Sequence, residues 1–345
     1  MTPRLPPRPN WFQRRSPRLM LALQGGGSHG AFTWGVLERL LDEPWLDIRA
    51  LSGSSAGALN AAVVTAGWLN GGREGAQRSL SHFWQAISRV SQGGIPMPLL
   101  GMLGVRSPNQ GDANARLLAS MPRWGSPYQL NPSGANPLRE LLDETVDFEA
   151  INHPAAPRLL VSATNVHSGH ARVFSNPGIR METLLASACL PSFYRAAFID
   201  GAYYWDGGYS MNPPIAPLLR QPAGGDLVFV QLTPDWQAEL PMTREAIDAR
   251  ARDLTFNAGQ LRELETLACL PRWSRWLMPR LHRIDTAGYL DDLASHAPLN
   301  TDWQYLESLR LAGRERGEEW LRTQGRDLGR RSTLALDAYE TNPGG

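Results

Sequence analysis

The sequence predicts an α/β fold with a mainly parallel sheet, followed by a helical C-terminal extension. Two strand–turn–helix units follow one another near the start of the chain, which is typical of a parallel sheet with crossover helices. Apolar runs suited to buried strands recur up to about residue 232. Beyond Pro234 such runs mostly stop, and apolar residues recur at helical spacing instead.

The first unit begins with Leu19–Leu23, which is continuously apolar, as a strand buried on both faces must be. The Gly-rich turn Gly25–Gly30 follows, and the next apolar residues recur at helical spacing. The second unit combines a strand at about 48–52, the turn Gly53–Gly57 and an Ala-rich helix to about Leu69. Both turns therefore connect a buried strand to a helix.

Four segments divide the chain: a flexible leader over 1–17, a main domain over 18–235, a helical extension packed on the core over 236–330, and a tail over 331–345. Further predicted elements are helices around 76–90, from Asn136, over 247–268 and from Trp303, and strands at Leu159–Thr164 and Leu227–Leu232. Core packing is the default for the 247–268 helix, with a dimer seam as the alternative. The apolar segment Ile95–Val105 fits a lid or a membrane-touching loop over the pocket, with a buried crossover between sheet and helix as the alternative.

Composition excludes several kinds of chemistry. The 345 residues contain 34 Lys plus Arg against 33 Asp plus Glu, and every one of these cations is Arg. Without Lys there is no Schiff base, no P-loop and no Ser–Lys dyad. A net charge of +1 gives no electrostatic footprint for nucleic acid.

The short apolar runs and the two cysteines indicate where in the cell the protein lies. Leu19–Leu23 is too short for the core of a signal peptide, and Ala56–Leu69 is shorter than the roughly 20 residues of a membrane-spanning helix. Cys189 and Cys269 cannot form a disulfide scaffold. We expect a cytoplasmic protein that at most contacts a membrane surface peripherally.

The first turn matches the G-x-G-x-x-G pattern of dinucleotide sites through Gly25, Gly27 and Gly30. Such a site also needs an acidic residue at the end of the second strand, where this chain has serines. What remains is a turn whose backbone N–H groups can hold an anion, such as the oxyanion of acyl transfer. A tight turn without a ligand is the alternative.

The second turn, Gly53-Ser54-Ser55-Ala56-Gly57, matches the G-x-S-x-G nucleophile elbow. Its central serine, Ser55, is the candidate nucleophile, and the helix that follows favours negative charge there. A serine nucleophile needs a base. Asp206, in the turn Asp206-Gly207-Gly208, is the candidate, and Asn212-Pro213 follows it.

With these three motifs in this order, the chain resembles the patatin-like phospholipase family over about residues 18–235. The resemblance implies a three-layer α/β/α sandwich and a lipid acyl hydrolase, similar to phospholipase A or lysophospholipase, that cleaves carboxylic esters. It implies a Ser–Asp dyad of Ser55 and Asp206, with no metal and no organic cofactor. Because an exposed carboxylate is a weak base, burial must raise the pKa of Asp206.

The resemblance also assigns supporting residues. It places the oxyanion hole at the backbone N–H groups of Gly25, Gly26, Gly27 and Ala56. It also assigns a supporting role in the three motifs to His29, Gly30, Gly53, Gly57, Gly207 and Gly208. His29 stands where the family usually has Arg or Lys, so it either shifts oxyanion stabilisation to backbone donors or is structural. Asp200, the nearest competitor of Asp206, is interpreted as a hairpin-turn residue.

Two other functions remain open. An α/β-hydrolase esterase would join Ser55 to a carboxylate and a late histidine, His282 or His296. A non-catalytic protein on the same fold would bind acyl chains or lipid without turnover. His167 and His170 suggest a hairpin turn rather than a metal pair, since no other ligand-type residue accompanies them.

Overall fold

The computed structural model describes residues 17–92, 124–221, 225–275, 277–290 and 299–340. Within them the chain has the predicted α/β fold, with eight strands in one mixed, mostly parallel sheet and helices packed on it. The strands are β1 Arg18–Leu23, β2 Asp47–Gly53, β3 Arg158–Asn165, β4 Ala171–Ser175, β5 Ala197–Ile199, β6 Ala202–Asp206, β7 Asp226–Val230 and β8 Arg280–Ile284. The helices are α1 Gly30–Leu41, α2 Ala56–Gln92, α3 Pro127–Leu130, α4 Pro137–Thr145, α5 Phe148–Asn152, α6 Met181–Ser187, α7 Ala216–Leu219, α8 Arg244–Ala268, α9 Arg272–Arg275 and α10 Trp303–Gln324.

The strand order is β5-β6-β3-β2-β1-β7-β8, with β4 paired to β3 beside this path. The neighbouring strands β3, β2, β1, β7 and β8 pair in parallel, whereas the pairs β3–β4, β3–β6 and β5–β6 are antiparallel. The apolar strand β1 lies in the middle and is buried on both faces, as its sequence predicts. The turns after β1 and β2 therefore emerge side by side at the carboxyl edge of the sheet.

Helix α2 contains the two predicted helices in one element. Its backbone leaves helical geometry at Gly71 and Gly72, and Gly72 has a left-handed φ of +61°. The break separates the Ala-rich half, which follows the second turn, from the half predicted around 76–90.

The C-terminal segment is mainly helical, but it also supplies β8, a strand that the sequence does not predict. Its residues include Arg280, His282 and Arg283, so the apolar run that identifies a buried strand is missing. It pairs in parallel with β7 over all five residues. The extension is thus part of the same sheet.

Helix α10 packs directly on α1. A methyl group on Gly35 would collide with the carbonyl of Arg310, and one on Gly313 with the carbonyl of Phe32. Arg310 also donates to Glu38 at 2.7 Å. The two helices therefore approach at backbone distance, which only glycine permits at these positions.

Helix α8 packs on the core only through its C-terminal half. Leu264 and Leu267 are buried, but Ile247 and Leu254 are 50% and 52% exposed. The prediction of one continuous core face from residue 247 onward is therefore wrong for the N-terminal half. Among the described residues, no helix is both long and apolar enough to cross a membrane. The segment Ile95–Val105 lies outside the described residues.

The antiparallel edge confirms two hairpin predictions. β3 and β4 pair on either side of the turn that contains His167 and His170. Asp200 sits between β5 and β6 at a φ of +51° and pairs with Arg172 and Arg180 at 2.8 and 2.9 Å. Asp200 is therefore a turn residue held by ion pairs.

Candidate active site

Ser55 lies between β2 and α2, in a turn that strains its backbone. Its φ of +52° is in the left-handed region, which costs a non-glycine residue free energy. A methyl group on Gly57 would collide with the Leu23 carbonyl, and one on Gly53 with the backbone of Gly57. The two glycines of the motif are thus required by close backbone approach, and the geometry is that of a nucleophile elbow.

The two serines of the turn have different environments. Ser54 Oγ donates to the Met211 carbonyl and also contacts Ser162 Oγ, so its hydroxyl is fully engaged. The backbone N–H of Ser55 donates to Ser187 Oγ at 3.0 Å, which fixes the turn. The Ser55 hydroxyl, in contrast, lies near enough to Asp206 to lower the pKa of its carboxyl in part.

Asp206 is fully buried at the end of β6, two strands from β2. Its Oδ1 accepts from the Gly208 N–H at 2.8 Å, and its backbone carbonyl accepts from Thr164 Oγ1 at 2.7 Å. Oδ2 has no partner of full hydrogen-bond geometry among the described residues. Burial raises the pKa of Asp206 to about 7, against the smaller lowering effects of the Ser55 hydroxyl and the Gly208 N–H.

The glycine turn Gly25–Gly30 is joined to the segment after Asp206 by Asn212. The Gly25 N–H donates to Asn212 Oδ1 at 2.7 Å, and Asn212 Nδ2 donates back to the Gly25 carbonyl at 3.4 Å. The assignment of Gly25 as an oxyanion donor is therefore wrong, because its N–H is already bonded. Its lack of a side chain matters instead, since a methyl group there would lie 2.7 Å from Ser55 Cβ.

The other assigned donors keep their N–H groups available. Among the described residues, the N–H groups of Gly26, Gly27 and Ala56 donate no hydrogen bond. Gly27 has a left-handed φ of +61°, and Ala56 is the first residue of α2. Gly30 is also constrained, since a methyl group there would lie 2.9 Å from Ala56 Cβ. The two turns are thus in direct contact.

His29 carries no positive charge at neutral pH. Burial lowers the pKa of its imidazole to about 4, and its Nε2 has no hydrogen-bond partner among the described residues. It follows that His29 does not replace the cation that the family usually has at this position.

The sequence reasoning did not identify Ser187 and Ser162, which support the elbow. No motif marks either residue, because each contacts the elbow from more than 100 positions away in the chain. Asn212 was recognised only as part of an Asn-Pro pair. Its position just after the Asp206 turn is the one signal that could have pointed to its role.

His282 cannot serve a triad with Ser55. It lies on β8, three strands from β2, which at about 4.8 Å per strand is roughly 14 Å across the sheet. Its Nε2 is 3.0 Å from Asp226 Oδ1, and its Nδ1 is 3.0 Å from Thr333 Oγ1. The alternative triad through His282 is therefore wrong, and His296 lies outside the described residues.

A cleft of about 620 Å³ lies beside β8, and neither Ser55 nor Asp206 lines it. Two ion pairs line it, Arg283 with Asp235 at 2.8 Å and Arg316 with Asp285 at 2.8 Å. The cleft is thus a surface of ion pairs, away from the two residues described above.

Three solved structures resemble the chain at low sequence identity. VipD from Legionella pneumophila is 14% identical with a TM-score of 0.45, over 90% of this chain and 67% of VipD. Human GIVD cytosolic phospholipase A2, in complex with methyl gamma-linolenyl fluorophosphonate, is 15% identical with a TM-score of 0.40, over 89% and 58%. ExoU, from its complex with SpcU of Pseudomonas aeruginosa, is 19% identical with a TM-score of 0.34, over 91% and 61%. The chain thus spans about three fifths of the latter two proteins.

Among curated proteins no sequence match was found. The family profile described as patatin-like phospholipase matches residues 21–219, which is more than half of the chain. That stretch contains both glycine turns and the Asp206 turn. Members of this family are typically lipid acyl hydrolases. The chain belongs to the patatin-like phospholipase family.

Proposed function

We propose that this protein is a serine acyl hydrolase that cleaves lipid carboxylic esters through Ser55 and Asp206. The observation that supports the proposal is the full burial of the Asp206 carboxyl, which raises its pKa to about 7, with the Ser55 hydroxyl as a neighbour that partly offsets this rise. A carboxylate with such a pKa is a far better base than an exposed one. The family membership supports a lipid as the substrate.

In the acylation step, Ser55 Oγ attacks the carbonyl carbon of the ester while Asp206 accepts the hydroxyl proton. The carbonyl oxygen becomes an oxyanion, and the N–H groups of Gly26, Gly27 and Ala56 are the donors that would hold it. When the tetrahedral intermediate collapses, the bond to the leaving alcohol breaks, and Asp206 returns its proton to that alcohol. The products are the free alcohol and an acyl-Ser55 enzyme.

Deacylation repeats the same steps with water. Asp206, again ionised, takes a proton from water, whose oxygen attacks the acyl carbon. The second tetrahedral intermediate releases the carboxylic acid and returns the proton to Ser55 Oγ. Asp206 Oδ2 has no hydrogen-bond partner among the described residues, and catalytic hydrogen bonds often form fully only in the complex with substrate.

The test combines labelling with turnover. A fluorophosphonate probe should label the wild-type protein, and the label should disappear in Ser55→Ala. Turnover of phospholipids and lysophospholipids of graded chain length should fall at least about 1,000-fold in Ser55→Ala and in Asp206→Asn, since both act in one unit. Binding of acyl chains without turnover would instead support a lipid-binding protein.

Two serine controls make the test specific. Ser54→Ala should keep the label, because the Ser54 hydroxyl is bonded to Met211 and Ser162 and does not face Asp206. Ser168→Ala, in the exposed hairpin, should keep both the label and the turnover. Retention of full turnover in either Ser55→Ala or Asp206→Asn would refute the assignment.

A further inference from the structure

The turn Gly25–Gly30, which carries the candidate oxyanion donors, is anchored by Gln24, a fully buried residue just after β1. Its Oε1 accepts from the backbone N–H groups of Leu232 and Thr233 at 2.6 and 2.8 Å. Its Nε2 donates to Asn257 Oδ1 at 2.7 Å and to Gln260 Oε1 at 3.1 Å. Because these groups are buried, loss of one partner leaves a polar atom unsatisfied, which is costly.

Asn257 and Gln260 both belong to α8, which lies beyond the segment that the family profile matches. They are three residues apart, so they lie on one face of the helix, and both are buried. Buried amides on a helix face are unfavourable unless they have partners. Here the shared partner is Gln24, the residue directly before the three glycines of the turn.

The same helix also packs on the Asp206 turn. A methyl group on Gly208 would collide with the ring of Phe256, and the rings of Phe256 and Tyr209 are 4.9 Å apart. A methyl group on Gly259 would lie 2.9 Å from the Ser210 carbonyl oxygen. One helix thus contacts both the turn that carries the candidate donors and the turn that carries the candidate base.

We propose that α8 is a positioning element of the active site and that Asn257 and Gln260 are its positioning residues. By holding Gln24, they fix the following backbone so that the N–H groups of Gly26 and Gly27 point at the developing oxyanion. This inference rests on the proposed function. The catalytic unit then extends at least to Ala268, well past the family segment.

The decisive variant is Asn257→Leu, which has a similar shape but no acceptor for Gln24. We expect kcat to fall about 10- to 100-fold with little change in KM, because misplaced donors weaken binding of the transition state rather than of the substrate. Asn257→Asp keeps an acceptor oxygen and should restore most of the rate. Amide hydrogen exchange over residues 24–30 should be faster in Asn257→Leu than in the wild type.

Leu264→Ala is the matched control, since Leu264 is buried on the same helix but has no contact with Gln24 in the network described above. It should lower the free energy of unfolding while keeping wild-type kcat and wild-type exchange over residues 24–30. The proposal is overturned if Asn257→Leu keeps both wild-type values, or if Leu264→Ala loses as much kcat. If the wild type shows no Ser55-dependent turnover, the proposed function fails, and hydrogen exchange alone still decides whether α8 holds the turn.

Discussion

At the scale of single residues, the burial of Asp206 leads to a prediction of how the rate depends on pH. Burial raises its pKa to about 7, and a base acts only in its ionised form. We therefore expect kcat/KM to fall as the pH drops through about 7, whereas an exposed aspartate would keep its activity down to about pH 4. A pH–rate profile of the wild-type protein checks this, and a profile that stays flat to about pH 5 would contradict it.

The same residue affects stability with the opposite trend. The folded protein binds the Asp206 proton more tightly than the unfolded chain does, so ionisation between about pH 4 and 7 destabilises the fold. Asp206→Asn removes this cost. At about pH 8 it should be more stable than the wild type by on the order of 2–4 kcal/mol, since each pKa unit corresponds to about 1.4 kcal/mol.

Urea unfolding of both proteins at about pH 8 and about pH 4 tests this prediction, with the difference expected to shrink at the lower pH. Equal stability at the higher pH would mean that the carboxyl is not desolvated. Such a gain in stability beside a loss of turnover is typical of a group whose placement serves function.

At this scale, the sequence predicts a residue's role when that role depends only on residues nearby in the chain. Ser55 and Asp206 stand out because each lies in a short glycine turn whose geometry a few neighbouring residues determine. The assignment of Gly25 failed because its N–H bonds to Asn212, 187 positions away. Ser187 and Gln24 act through similarly distant partners, which no local pattern encodes.

At the scale of elements, the contact between α1 and α10 can be tested with two glycines. Gly313→Ala places a methyl group against the Phe32 carbonyl and should lower the free energy of unfolding by about 1–3 kcal/mol. Gly325→Ala, at the end of the same helix, meets only side-chain atoms at 3.5 Å or more and should change stability by less than about 0.5 kcal/mol. Chemical denaturation of both variants checks the difference, and similar values would refute the close contact.

Helices and strands were predictable where their apolar residues face the core in a regular pattern. The strand β1 and the helix α1 follow from apolar patterns. Helix α10 begins at Trp303 as predicted, and the Asp302 carboxyl caps it by accepting from the backbone N–H groups of Gln304 and Tyr305. The strand β8 could not be predicted, because polar contacts replace apolar ones along it. His282, for example, is satisfied by Asp226 and Thr333 rather than by an apolar neighbour.

At the scale of the whole molecule, the order of the strands makes the C-terminal segment part of the core. β7 lies between β1 and β8, and Trp320 of α10 is fully buried. We therefore expect the family-matched segment 21–219, expressed alone, to remain unfolded, and the full chain to unfold in one transition by both circular dichroism and tryptophan fluorescence. Two separate transitions would indicate that the extension folds independently.

The strand order also has a consequence for biosynthesis. The first strand emerges from the ribosome before its partners, because its neighbour β7 and the partners of Gln24 follow 207 to 236 positions later. Translation must therefore proceed past Gln260 before the glycine turn acquires all of these supports. A nascent chain that already displays Ser55 thus lacks the supported glycine turn until α8 has been synthesised.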